Sequence, residues 1–90
     1  MVLLKRQSTM DEFEKQALVF FGQKIRERRI EIGLSQEALA EQAGLHRNYI
    51  GKIERGENNV TFLVLLKLSR ALKLSPPELV QWVTEGIVRF

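Results

Sequence analysis

The chain has 90 residues, 44% of them apolar, and a formal net charge of +3 with no cysteine. That length allows one small core and leaves no room for a second, the apolar share excludes general disorder, and the missing cysteines exclude a disulfide framework or a thiolate metal site. A positive balance suits a polyanionic partner, but +3 is modest and decides nothing alone. No apolar run approaches the roughly 20 residues that span a bilayer. Residues 1–4 are too brief and too poorly flanked for a signal peptide, so a cytoplasmic protein is expected, associated with the nucleoid if bacterial.

Every periodic segment reads at 3.6 residues, which predicts an all-α fold. Residues 1–8 read as a frayed arm. Ser8 or Thr9, with Asp11 or Glu12 three residues on, forms a capping-box pattern that starts a helix. Its apolar positions Phe13, Ala17, Phe21, Ile25 and Ile32 run to a stop at Gly33, with Gly22 expected to kink or split it. Residues 1–16 are thus expected to be an arm and helical extension, and 17–90 the domain proper.

Next come two short helical patterns joined by a glycine. Ser35 is a good cap, and Gln36 to Ala43 carries an apolar face through Ala38, Leu39 and Ala43. Gly44 can take positive φ and turn the chain sharply. A second helix follows, with Leu45, Tyr49, Ile50 and Ile53 on its buried side. Left over are Arg47, Asn48, Gly51, Lys52 and Arg55: the long side chains among these have nothing apolar to bury, and they suit base edges and phosphates.

Beyond a loop at 57–59, Thr61 caps a fourth helix, TFLVLLKLSRAL, ending near Lys73. Ser75, with two prolines tolerated in the first turn, starts a fifth. The fourth is apolar on nearly every side, with Phe62, Leu65, Leu68 and Leu72 expected to face one way and Leu63, Val64 and Leu66 another. In the last segment Leu79, Val83 and Ile87 share a stripe that Val80, Trp82, Val88 and Phe90 widen. One small core cannot bury all of this, so self-association is expected.

GLSQEALAEQAGL, apolar residues at Ile50 and Ile53, and the closing ERG at 54–56, at fixed spacing and flanked by helices, resemble the lambda-repressor-like helix-turn-helix family over residues 22–80, about two thirds of the chain. RNYIGKIERG on so short a chain is most similar to the small controller proteins of restriction-modification systems. The resemblance implies a compact five-helix DNA-binding domain that binds a pseudo-palindromic operator as a homodimer. It implies base contacts from Arg47, Asn48 and Lys52, and backbone contacts from Gln36, His46, Tyr49, Arg55 and Asn59. Where the family usually carries Ser, Thr or Asp as the helix cap, this chain has His46. Arg29 and Glu54 match a buried pair between the first and third helices. The expected dimer interface draws on Leu63, Leu66, Leu79, Trp82 and Val83.

Other classes ask for different features. A protein-interaction module on the same fold, such as an antitoxin or adaptor, needs an extra binding segment, which the apolar C-terminal residues or residues 10–20 could supply. An enzyme needs a nucleophile or metal set. His46 is the sole histidine, so no histidine cluster can be assembled, and no catalytic spacing appears. No enzyme, metal or cofactor is expected, nor a membrane or small-molecule partner. Double-stranded DNA and a second copy of the chain are.

Overall fold

A computed structural model describes residues 11–89, which form five helices and no strand: α1 Glu12–Glu31, α2 Gln36–Ala43, α3 Arg47–Glu54, α4 Phe62–Ala71 and α5 Pro76–Arg89. The expected arm at 1–8 and the Ser8 or Thr9 cap lie outside the described residues. Within them, α1 is capped by Asp11. Its carboxylate accepts from the Glu14 N–H at 2.8 Å while the Asp11 N–H donates to Glu14 Oε1 at 3.0 Å, closing a capping box two or three residues later than the expected Thr9 or Ser8. Glu12 and Glu14 in the first turn and Arg28 and Arg29 in the last complement the helix dipole.

Gly22 neither kinks nor splits α1, which is continuous through it. Its role is spatial. A Cβ there would run into the Ile53 carbonyl oxygen and lie 2.7 Å from that of Glu54, so the missing side chain lets the backbones of α1 and α3 touch. Around that contact α1 packs against α3 and α5, α2 against α3 and α4, and α4 against α5.

The core at the crossing of these helices is filled by Ile25, Leu39, Ile50, Ile53, Leu68 and Leu72, all fully buried. Truncating one of them to alanine removes about 2–5 kcal/mol, the usual cost of lost transfer energy plus a cavity. α4 presents Val64, Leu68, Ala71 and Leu72 to this core, the i, i+4, i+7, i+8 stripe of a helix, with Leu65 partly buried beside it. Two assignments of the sequence pattern are therefore exchanged. Val64 faces inward, and Phe62, the first residue of the helix with no preceding turn to cover it, is 71% exposed. Thr61 caps α4 by accepting from the Val64 N–H at 3.2 Å. At the far end of α4, Arg28 Nε donates to the Leu72 carbonyl at 3.0 Å and Nη2 to that of Lys73 at 3.2 Å, satisfying carbonyls that the helix leaves open.

Candidate nucleic-acid interface

The local chemistry of the α2–turn–α3 unit matches its pattern. Ser35 Oγ accepts from the Ala38 N–H at 3.0 Å and starts α2. Gly44 ends it with φ 68°, the left-handed conformation that glycine adopts without steric cost. Leu39, Ala40 and Ala43 on one side and Ile50 and Ile53 on the other are buried together, so the angle between the two helices is set by apolar packing.

His46, the departure from the usual cap, occupies the N-cap position of α3 with Nδ1 accepting from the Asn48 N–H at 3.2 Å. An imidazole can cap a helix in this way only while Nδ1 is unprotonated, which places the ring hydrogen on Nε2. At eight residues, α3 is shorter than the ~12–15 that give a marginally stable isolated helix, so its shape depends on that cap and on the packing beneath it.

The outward face of α3 carries Arg47, Asn48 and Lys52, all exposed. None of the three side chains makes a hydrogen bond or ion pair among the described residues. Arg55, at the C-cap, continues this face but is engaged. Its Nε lies 2.8 Å from Glu57 Oε2 and its Nη2 3.2 Å from Oε1, a two-pronged exposed pair. That hydrogen bond, reinforced by the opposite charge, raises the Arg55 pKa and lowers that of Glu57 below the ordinary carboxylate value. Tyr49 is half-buried with its hydroxyl donating to the Asn59 carbonyl at 3.4 Å, and Asn59 Oδ1 accepts from the Val60 N–H at 2.9 Å. These two residues therefore brace the loop that leaves α3.

Beneath the outward face, Arg29 and Glu54 meet inside the protein. Arg29 Nε is 2.6 Å from Glu54 Oε2 and Nη2 is 3.0 Å from Oε1, while Nη1 donates to the Leu34 carbonyl at 2.8 Å. Gln36 Nε2 also donates to Glu54 Oε1, at 3.0 Å. One carboxylate thus ties α1 and the first residue of α2 to the end of α3, and no buried side-chain nitrogen or oxygen among the described residues is left without a partner.

The residues named for self-association divide. Leu63, Leu66 and Val83 are exposed at 65%, 43% and 40%. Trp82 is half-buried, packed on the core with Lys24 Nζ 5.6 Å from its ring centroid. Leu79 does not belong with them. It is buried in the chain's own core, where α5 docks on the bundle, and cannot meet a partner without leaving it. Ile87, Val88 and Phe90 fall outside the described side chains. Two contributors escaped the sequence pattern. Phe62 extends the exposed apolar surface of α4, and an open apolar cleft of about 400 Å³ runs between α1 and the later helices, lined by Phe13, Leu18, Phe21, Val60, Leu65 and Val83. Glu57 falls in the expected loop at 57–59, and an acid two residues after Arg55 across a glycine is the sequence signal for their pairing.

Comparison with known proteins agrees with this geometry. The helix-turn-helix family matches residues 25–79. Control protein C.BamHI of Bacillus amyloliquefaciens is 44% identical over 69 residues, covering 76% of this chain and 85% of that protein. Among solved structures, the restriction-modification controller protein C.AhdI from Aeromonas hydrophila superposes with a TM-score of 0.67 at 53% identity, over 69% of this chain and 94% of that one. The controller protein C.Esp1396I, crystallised as a tetramer in complex with its natural 35-base-pair operator, gives a TM-score of 0.69 at 29% identity, over 87% of this chain and 99% of that one.

Proposed function

This chain belongs to the helix-turn-helix family of DNA-binding transcription regulators, and from that premise we propose that it is the controller of a restriction-modification system. It binds a pseudo-palindromic operator as a homodimer. Two copies join through the exposed apolar side chains of α4 and α5, and each presents α3 to the major groove, the two grooves roughly 34 Å apart. The observation that carries this reading is the outward face of α3, where Arg47, Asn48 and Lys52 stand unengaged on a helix whose other side is fully committed to the core.

Arg47 and Lys52 read guanine edges, and Asn48 reads adenine or a phosphate. Gln36, at the first turn of α2 where the helix dipole favours anions, fixes the protein on the backbone with His46, Tyr49, Arg55 and Asn59. Gln36 has one amide hydrogen bonded to Glu54 in the free chain, so the second donates to phosphate while the first keeps its register. The protein acts by occupancy of its site and not by catalysis, in the cytoplasm at the nucleoid. Within the described residues, the first turns of α1, up to residue 16, are a helical extension of the DNA-reading domain that begins at 17.

Selection of bound sites from a random duplex pool, followed by footprinting, tests the proposal. The expected result is one enriched sequence with two related half-sites about one helical turn apart, protected on a single face of the duplex. Failure to enrich any sequence would overturn it.

A further inference from the structure

The Arg55–Glu57 pair is built into the end of the recognition helix by more than the two side chains. The Glu57 N–H donates to the Lys52 carbonyl at 2.9 Å, which holds the backbone of Glu57 against the last turn of α3. Gly56, between the two, sits so close to α1 that a Cβ there would lie 2.7 Å from Val19 Cα. The backbone that carries Glu57 is therefore fixed by tertiary contact. Its carboxylate takes Nε and Nη2 of Arg55 and leaves Nη1 free. The guanidinium then lies back over Gly51, four residues earlier in α3, where an added Cβ would be 3.1 Å from Nη1 and 3.8 Å from Cζ. Arg47, Gly51 and Arg55 form one i, i+4, i+8 stripe, so the held guanidinium lies in line with Arg47 and beside Lys52.

We propose that Glu57 is a positioning residue for sequence discrimination: it holds the Arg55 guanidinium in one orientation along the reading face. The inference rests on the DNA-reading function proposed above, and gives Arg55 a part in specificity beyond a contact to phosphate. A free arginine beside a duplex pairs with whichever phosphate is near, a sequence-independent gain. An arginine already held by a carboxylate loses less rotamer freedom on binding and rejects sites that do not meet its free edge. The Glu57 charge adds to this by weakening attachment to any stretch of phosphates.

The test compares affinity for a duplex that the wild-type protein enriches from a random pool with affinity for a shuffled duplex of the same length, over a series of salt concentrations. Glu57→Ala is expected to bind the shuffled duplex more tightly, with a steeper salt dependence as Arg55 is released to a phosphate. Its ratio of specific to nonspecific affinity should fall about tenfold, within the range for one directed contact. Glu57→Gln, which keeps an acceptor oxygen but not the charge, should retain more of that ratio. In an Arg55→Ala background, Glu57→Ala should leave the ratio unchanged, because Glu57 acts through Arg55. Equal tightening on both duplexes, or the same fall in the ratio with and without Arg55, would overturn the role of Glu57 alone. A wild-type protein that enriches no sequence would overturn this and the function on which it rests.

Discussion

Arg29 and Glu54 face each other inside the protein as a two-pronged pair, with 10% and 2% of their side chains exposed. Neither can lose its partner cheaply. Removing one leaves a desolvated charge, so Arg29→Ala or Glu54→Ala is expected to lower stability by about 3–5 kcal/mol. The double variant should cost much less than the sum. Urea melts of the three variants check this, and additive losses below about 1 kcal/mol would mean the pair contributes no more than a surface bridge.

Gly22→Ala places a methyl group against the Ile53 and Glu54 carbonyls of α3. Alanine is the better helix former by about 1 kcal/mol, yet the clash is with backbone, which cannot rotate away. A net loss of about 1–3 kcal/mol is expected, with operator affinity reduced because α3 is displaced. Thermal melts that show a gain would refute the close approach.

Arg47→Ala should cost about 1–3 kcal/mol on operator DNA and little on shuffled DNA, since it removes a base contact. Gln36→Ala should weaken both to a similar degree, since it removes a backbone contact. Competition binding at fixed salt distinguishes them, and equal losses on the two duplexes for Arg47→Ala would remove it from the set of base readers.

Leu63→Asp or Val83→Asp is expected to give a folded monomer, because both side chains are exposed and contribute little to the chain's own core. Operator affinity should then fall steeply while weak nonspecific binding persists through the basic face. Sedimentation at micromolar concentration reads the outcome directly. Leu79→Asp, by contrast, should unfold the chain, and a folded Leu79→Asp monomer would contradict its place in the core.

Acid should loosen the start of α5. The Ser75 N–H donates to Glu78 Oε1 at 2.8 Å, and the Glu78 N–H to Ser75 Oγ at 3.4 Å. The backbone donor first, and the side-chain hydrogen bond second, hold the Glu78 carboxyl below its ordinary 4.5. A carboxyl that ionises more readily in the folded chain stabilises it above that ordinary value, and the contribution is lost as pH falls through the lower, folded one. Glu78→Gln should therefore melt lower than the wild type near neutral pH, and the gap should close in acid. A gap that persists unchanged at pH 3 would assign the effect to something other than ionisation.

The helix-turn-helix was legible because its signals are local: a serine cap, a glycine at the turn, and apolar spacing on either side. α4 was harder. It is apolar almost all round, so periodicity offered several stripes, and only packing against α2 and α5 selects Val64 over Phe62. Leu79 was ambiguous for the same reason, being on a stripe that begins in the core and runs out of it at Val83. Gly22 was misread because glycine inside a helix carries a local penalty that is visible in sequence, whereas the close approach that requires it involves residues 31 and 32 positions away at Ile53 and Glu54. The Arg55–Glu57 pair depends on a turn geometry that residue types alone do not specify.

Apart from Tyr49, which is half-buried against the core, the side chains of α3 fall into two sets that do not overlap. Ile50, Ile53 and Glu54 hold the helix in place, and Arg47, Asn48 and Lys52 support nothing beneath them. Substitutions in the outer set therefore leave the fold nearly intact, since exposed positions usually change stability by less than about 0.5 kcal/mol. Given the base-reading role proposed for these three residues, a single substitution among them is expected to change the preferred target while the protein stays folded.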